Sequence, residues 1–146
     1  MDIENQNNRL VCDFLPRRLA QRADNGEDMS MLDLRGQKLA GVDFRGARLA
    51  GSNFCHCDLR GARFEFCDLR ASHFWNCDLT GARFDGSDLT DADLDYAKLD
   101  GAVFRGARLK RADLPLERVT LDEIQRSVHY GEAIPCAAEK RKRRYA

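Results

Sequence analysis

Hydrophobic residues recur at every fifth position of the chain between residues 32 and 116. Seventeen consecutive units carry leucine or phenylalanine at this position, from Leu34 to Leu114. After the first three units, the residue two places earlier is always alanine, serine or cysteine. Helical faces repeat about every 3.6 residues and strands about every 2, so neither element explains a period of five. The spacing predicts a solenoid, in which each unit turns a corner and stacks on a neighbour.

The inward and outward positions of each unit follow from this register. Alternate residues of an extended segment point the same way, so the large residue and the small residue two places before it should both face the core. Phe64 and Phe74 are therefore predicted to be buried. Nine of the first fifteen units end in glycine, for example at Gly61 and Gly81. Glycine there permits the positive φ that tight corners require.

The repeated units resemble a known family. Segments such as Ala92-Asp93-Leu94-Asp95-Tyr96 and Cys67-Asp68-Leu69-Arg70-Ala71 resemble the A-(D/N)-L-x-x consensus of pentapeptide repeat proteins. The resemblance covers residues 32–116, which are 85 of the 146 residues. It implies an all-β solenoid, a right-handed quadrilateral β-helix with four pentapeptides in each coil and about four coils in total.

Short helices are predicted at both ends of this β-helix. Residues 1–31 should form an N-terminal cap with a helix between Cys12 and Arg22, because Asp13 suits an N-cap and Pro16 is tolerated in a first turn. Residues 117–138 contain a capping box, Thr120–Glu123, which predicts a helix as far as Tyr130. This second helix should cover the last coil or pair with another copy in a homodimer. Residues 139–146 form a basic tail, expected to be disordered or to contact nucleic acid or an acidic partner.

Composition excludes several classes of partner. Lysine and arginine total 24, as do aspartate and glutamate, so no overall charge attracts nucleic acid or an anionic membrane. No apolar run approaches the roughly 20 residues of a membrane span. The start, residues 1–8, is polar and has no signal-peptide character. We therefore expect a cytoplasmic protein that binds neither membranes nor, directly, nucleic acid.

Cysteines and histidines raise the question of a metal site. Cys55, His56 and Cys57 are adjacent, but the register turns Cys57 inward and the other two residues outward. Cys57, Cys67 and Cys77 replace alanine or serine at the small core position, where cysteine is an ordinary buried residue. No catalytic motif is present. The prediction is a protein without catalytic residues, metal or cofactor.

One side of the predicted tube has unusual outward residues. This side, called side 1, is centred on Leu34, Phe54, Phe74, Leu94 and Leu114. The next side, side 2, is centred on Leu39, Leu59, Leu79 and Leu99 and keeps glycine at every corner. Exposed aromatic residues among polar groups are typical of interfaces. The predicted partner-binding residues are His56, His73, Trp75, Asn76, Asp93, Asp95 and Tyr96; the alternative is neutral drift at a tolerant corner.

An acidic belt is predicted around the third coil. It comprises Asp85, Asp88, Asp91, Asp93, Asp95 and Asp100. Elsewhere charges are mixed, and the column Arg45, Glu65, Asp85 and Arg105 suggests a salt-bridge ladder. Quinolone-resistance members of the family resemble duplex DNA in shape and acidity and bind DNA gyrase in its place. One belt over about four coils is short for such a mimic.

The sequence thus predicts a non-catalytic, bacterial or phage-encoded module whose rigid surface binds another protein, with inhibition of that protein as one outcome. A DNA mimic that modulates gyrase or another DNA-binding machine is the first alternative. A structural or targeting module is the second. A continuous acidic surface would favour the mimic, whereas a mixed surface with an aromatic patch would favour ordinary protein binding.

Overall fold

A computed structural model describes residues 15–144, with side-chain burial defined for residues 15–142. Helix α1 covers residues 15–24, a β-helix follows, and α2 (Leu121–Tyr130) and α3 (Ala137–Arg144) complete the chain. The predicted N-cap Asp13 and the start of the predicted first helix lie outside the described residues.

The β-helix is built from parallel bridges between residues twenty apart. The first bridge joins Asp28 to Arg48 and the last joins Asp93 to Asp113. Because each unit has five residues, four units complete one coil. Each unit contributes one bridge position between turns. Beside sides 1 and 2, side 3 is centred on Phe44, Phe64, Phe84 and Phe104, and side 4 on Met29, Leu49, Leu69, Leu89 and Leu109.

Phenylalanine rings fill two opposite sides of the core. On side 3 the rings of successive coils stack, with centroids 5.0 Å apart for Phe44 and Phe64 and 5.1 Å apart for Phe64 and Phe84. On side 1, Phe54 and Phe74 stack at 4.9 Å. Rings from opposite sides meet edge to face, as Phe64 and Phe74 do at 5.6 Å. All of these side chains are fully buried, which confirms the predicted inward positions.

Every corner of the tube has a left-handed backbone. The last residue of each of the seventeen units from Met31 to Arg111 has a φ between 54° and 72°. The turn closes with a hydrogen bond such as that from the Val42 N–H to the Leu39 carbonyl, at 3.2 Å. Glycine takes this conformation without strain, in agreement with its frequency there. Eight corners nevertheless carry other residues: Met31, His56, Phe66, Ala71, Asn76, Asp91, Tyr96 and Arg111.

The β-helix begins earlier than the predicted boundary at residue 32. Asp28 already bridges to Arg48, and Met29 occupies the central core position with no exposed surface. Helix α1 lies below this first coil, where Leu19 and Ala23 are buried in the same core. Methionine fills the position normally given to leucine, so the repeat was not evident there from the sequence.

The segment after the β-helix covers part of the last coil. The Gly106 N–H donates to the carbonyl of Val128 at 2.9 Å, and the Phe104 N–H donates to the buried Ser127 hydroxyl at 2.9 Å. Further along, the Gly101 N–H donates to the Ile134 carbonyl at 2.7 Å. Helix α2 and the strand-like segment after it thus supply acceptors that a further coil would have provided.

The caps of α2 agree with the prediction from the sequence, whereas the structure of the basic tail differs from it. The Thr120–Glu123 capping box is formed, and Gly131 ends α2 in a left-handed conformation. The tail expected to be disordered is instead helical from Ala137 to Arg144. The Lys140 ammonium donates to the Arg118 carbonyl at 2.6 Å and to the Glu123 carboxylate at 3.0 Å. These contacts give the basic helix an anchor on the protein that local sequence does not reveal.

Candidate partner-binding surface

Four of the predicted residues on side 1 form one contiguous group, which we call the aromatic cluster: His56, Trp75, Asn76 and Tyr96. The Trp75 ring lies between the other two rings, 5.1 Å from His56 and 5.5 Å from Tyr96, centroid to centroid. Both contacts are edge to face, with interplanar angles of 77° and 69°. The Asn76 side-chain nitrogen lies 3.0 Å from Nδ1 of His56.

The cluster is exposed because its residues occupy outward and corner positions. Trp75 follows the buried Phe74, and its side chain is turned out with 39% of its surface exposed. His56, Asn76 and Tyr96 occupy successive corners with φ values of 61°, 56° and 58°. A left-handed backbone costs a residue other than glycine about 1–2 kcal/mol. Ala71, Asp91 and Arg111 share this conformation on side 4, so strain alone does not single out the cluster.

The three remaining predicted residues lie beside the cluster. His73 is exposed and bridges between Asn53 and Asp93 on the ladder of side 1. Asp93 accepts a hydrogen bond from the Asp95 N–H at 2.9 Å, and Asp95 accepts one from the Tyr96 N–H at 3.1 Å. Both carboxylates are half-buried. The structure thus places all seven residues on one side of the tube, although the described ring contacts do not include His73.

Four of the aspartates that precede a central residue form an ion pair with an arginine of their own unit. Asp33, Asp43, Asp58 and Asp68 are each 2.7 Å from the arginine two residues later. The hydrogen bond from that arginine lowers the pKa of each of the four carboxyl groups below its ordinary value. Because residues two apart on one side point the same way, the arginine reaches its own unit's carboxylate. These pairs neutralise much of the acidic surface.

The predicted acidic belt is interrupted by the same kind of pairing. Asp85 lies 3.1 Å from Arg83, and Asp91 lies 2.6 Å from Arg111 of the next coil. The hydrogen bond from Arg111 lowers the pKa of Asp91. Asp88 accepts hydrogen bonds from the side chain and N–H of Thr90. Asp100 lies in a cleft with Lys98 and Lys140, so the six carboxylates do not form a continuous acidic surface.

The predicted salt-bridge ladder from Arg45 through Glu65 and Asp85 to Arg105 was wrong. Arg45 pairs with Asp43 in its own unit. Glu65 instead lies 3.2 Å from Arg63 and 3.5 Å from Arg83. The Glu65 side chain is buried, and its Oε2 has no hydrogen-bond partner among the described residues. The outward positions of one unit lie farther apart than those of adjacent coils, but the arginine side chain is long enough to reach the carboxylate two residues away, as in Arg45–Asp43 and Arg63–Glu65.

Two exposed apolar corners were missed from the sequence. Met31 and Phe66 have 77% and 74% of their surface exposed. A Cβ placed on Gly86 would lie 2.7 Å from the Phe66 ring, which shows that this ring covers the glycine of the next coil. The sequence could have indicated both corners, because each carries a large residue at the last position of its unit, where the repeat favours glycine. Phe66 lies on side 3, opposite the aromatic cluster.

The cysteines are arranged as core residues. Cys57, Cys67 and Cys77 are at most 3% exposed, and the thiol of Cys57 donates to the Leu34 carbonyl one coil away. Burial raises the pKa of Cys57 to about 11 and that of Cys67 to about 12. Cys55 is half-buried on side 1. Within residues 15–144, no group of three or more histidine, cysteine or acidic side chains is placed to hold a metal ion.

The repeat itself decides the family. Eight copies of a family model described as Pentapeptide repeats match the chain over overlapping segments, 28–65, 38–76, 57–95, 67–106 and 87–115. The chain belongs to the pentapeptide repeat family. The predicted fold, a right-handed quadrilateral β-helix with short terminal helices, is confirmed. No curated protein matches the chain, and no helix among the described residues is long and apolar enough to cross a membrane.

Several solved structures, two of them described as pentapeptide repeat proteins, are similar to this chain. Rfr23 from the cyanobacterium Cyanothece 51142 has a TM-score of 0.53 and 22% identity; the match covers 60% of this chain and 63% of that chain. A protein from the Arabidopsis thaliana thylakoid lumen has a TM-score of 0.46 and 26% identity, over 75% and 85% of the two chains. QnrB1, a plasmid-mediated fluoroquinolone resistance protein, has a TM-score of 0.32 and 23% identity, over 60% and 53%. This pentapeptide repeat protein thus spans less than two thirds of Rfr23, and the similarity concerns the fold alone.

Proposed function

We propose that this pentapeptide repeat protein is a non-catalytic module that binds another protein through side 1, with inhibition of that protein as one outcome. The observation that carries the proposal is the exposed aromatic cluster around Trp75. Tryptophan and tyrosine bury a large area at low entropic cost, and they are enriched among the residues that dominate binding energy. Trp75 and Tyr96 contribute little to the buried core, since 39% and 49% of their surfaces are exposed.

The rigidity of the tube supports the same proposal. The backbone beneath the cluster is hydrogen-bonded from coil to coil, with the His56 N–H donating to the Trp75 carbonyl at 3.0 Å. The Asn76 N–H donates in the same way to the Asp95 carbonyl at 3.1 Å. A surface held in its binding geometry loses little conformational entropy when a partner arrives. The cluster therefore has the properties of a preorganised binding surface.

The charge distribution favours ordinary protein recognition over DNA mimicry. Four aspartates are neutralised by an arginine of their own unit, and two residues of the predicted acidic belt are also paired. A DNA mimic needs negative charge along most of its length. Inhibition of gyrase supercoiling by the purified protein would support the mimic, and a partner whose activity is unchanged by binding would support a structural or targeting module.

Comparison of three exposed aromatic residues, two on side 1 and one on the opposite side 3, tests the proposal. Partners would be captured from host extract with the wild-type protein and identified by mass spectrometry, and the affinity of each purified partner would then be measured by calorimetry. Trp75→Ala and Tyr96→Ala should each weaken binding by about 2 kcal/mol, or roughly 30-fold. Phe66→Ala, which removes an exposed ring from side 3, should leave affinity unchanged.

The opposite pattern contradicts the proposal. If the partner binds the Trp75→Ala and Tyr96→Ala variants with native affinity, side 1 is not the binding surface. Melting curves of the three variants serve as a folding control. All three should remain close to wild type, because each side chain points away from the core.

A further inference from the structure

The repeat unit beside the aromatic cluster, Ala92–Tyr96, has an unusual charge pattern. Both of its outward positions are acidic, Asp93 and Asp95, and no other unit of the β-helix carries two acidic residues at these positions. In four other units an arginine follows the aspartate and neutralises it at 2.7 Å. The unit therefore lacks the internal cation that these four units possess, and it carries a second carboxylate in the place of that arginine.

No cation from elsewhere in the described structure replaces that arginine. The ion pairs among residues 15–142 include neither Asp93 nor Asp95. Each carboxylate accepts one backbone N–H through its Oδ1, from Asp95 and Tyr96 respectively. These bonds hold the two carboxylates in place and leave the Oδ2 atoms without a hydrogen bond from any described residue. Two like charges on one unit repel each other until a cation joins them.

The aromatic rings adjoin these carboxylates. Asp95 follows Trp75 by twenty residues, so the two side chains occupy the same outward position on adjacent coils, roughly 4.8 Å apart along the tube. Tyr96 is the next residue, and its ring stands at 69° to that of Trp75. Two rings at a steep angle present π surfaces that attract a cation, and tryptophan is the most effective of the aromatic side chains. Rings and carboxylates thus favour the same kind of group.

We infer that the aromatic cluster with Asp93 and Asp95 receives an arginine or lysine side chain from the partner protein. This inference rests on the proposed function and names the chemistry of the partner. An arginine fits best, because its planar guanidinium stacks on aromatic rings and binds carboxylates through two hydrogen bonds. Nucleic acid and phosphate are disfavoured, since their negative charge would meet the two carboxylates.

Trp75 offers a direct readout, because it is the single tryptophan of the chain. Its fluorescence would be followed during titration with the peptide acetyl-Gly-Arg-Gly-Arg-Gly-amide at low salt. Peptides with citrulline or glutamate in place of arginine serve as neutral and acidic controls of matched length. We expect a saturable change in Trp75 fluorescence with the arginine peptide. The citrulline peptide should bind at least about tenfold more weakly, and the glutamate peptide should cause no saturable change.

Isosteric variants test the carboxylates. The double variant Asp93→Asn and Asp95→Asn should weaken binding of the arginine peptide at least about fivefold. Its binding should also depend less on salt concentration than that of the wild type. Asp85→Asn is the matched control, because Asp85 is already paired with Arg83, and it should bind as wild type does. No saturable signal up to about 10 mM peptide, a weak limit for any specific site, would overturn the inference. Equal binding of the citrulline peptide, or an unchanged double variant, would overturn it as well.

The identified partner separates this inference from the proposed function. If Trp75→Ala weakens binding of the partner while the double aspartate variant does not, the partner binds side 1 without inserting a cation. In that case only the inference fails. If Trp75→Ala leaves the affinity of the partner unchanged, the proposed function fails, even if the arginine peptide binds.

Discussion

Replacing Phe64 by alanine removes a ring from the middle of the phenylalanine core. The Phe64 side chain is fully buried and stacks between Phe44 and Phe84 at 5.0 and 5.1 Å. It also meets the edges of Phe54 and Phe74 at 5.7 and 5.6 Å. The substitution therefore removes four aromatic contacts together with the buried surface of the ring.

The structure places the cost near the upper end of the usual range. Truncation of a buried phenylalanine to alanine costs about 3–5 kcal/mol. Each aromatic pair contributes about 0.5–1.5 kcal/mol beyond its buried area, although such values do not simply add. The backbone resists collapse into the cavity, because the Phe64 N–H is bonded to the Arg83 carbonyl at 2.7 Å. We expect a loss of about 4–5 kcal/mol, equivalent to roughly 10–15 °C in melting temperature for a chain of this size.

Phe66 provides the matched control two residues along the same chain. Its side chain is 74% exposed at a corner. Phe66→Ala should therefore change stability by no more than about 0.5 kcal/mol. Both variants would be compared with wild type by thermal and urea unfolding followed by circular dichroism.

The two outcomes must differ if the register is correct. A loss below about 1.5 kcal/mol for Phe64→Ala, or equal losses for the two variants, would refute the inward assignment of the central residues. Wild-type stability of Phe64→Ala would also be incompatible with a close-packed core of this kind.

Two further predictions concern the C-terminal helix and the buried thiols. Lys140→Ala should cost about 1 kcal/mol in chemical unfolding, because Glu123 loses a partially buried partner, whereas exposed Arg141→Ala should cost nothing measurable. Burial raises the pKa of Cys57 and Cys67 from 9.0 to about 11 and about 12. The folded state thus holds these protons more tightly, and the resulting stability is complete below about pH 9 and is lost as pH rises toward 11–12. Melting temperatures between pH 8 and pH 10.5 should fall less steeply in a Cys57→Ala, Cys67→Ala variant; an identical slope would contradict the assignment.

Much of the fold could be predicted from the sequence because its determinants are local or strictly periodic. The five-residue spacing assigns Phe64 and Cys67 to the core without knowledge of any contact, since each coil repeats the same inward positions. The Thr120–Glu123 capping box is equally local, because its hydrogen bonds span three residues. The boundary at Met29 was missed, since methionine departs from the leucine or phenylalanine that marks the repeat.

The outward residues were only partly predictable. Their side of the tube followed from the register, which placed Trp75 and Tyr96 together on side 1. Their edge-to-face contact depends on side-chain torsions at a left-handed corner, which the sequence does not specify. The exposed ring of Phe66 could have been found as a departure from glycine at a corner, but its position over Gly86 could not.

Ion pairs and the ends of the solenoid were decided by tertiary structure. Arg45 lies near a carboxylate in its own unit and another in the next coil, and only the geometry of the side chains selects Asp43. Lys140 donates hydrogen bonds to Glu123 and to the Arg118 carbonyl because the chain reverses direction between α2 and α3, and no local sequence pattern predicts this contact. The sequence by itself determined which residues face inward, because burial in a periodic tube depends on position alone. Tertiary structure decided which outward groups meet, because long polar side chains have several partners within reach and small differences in distance choose among them.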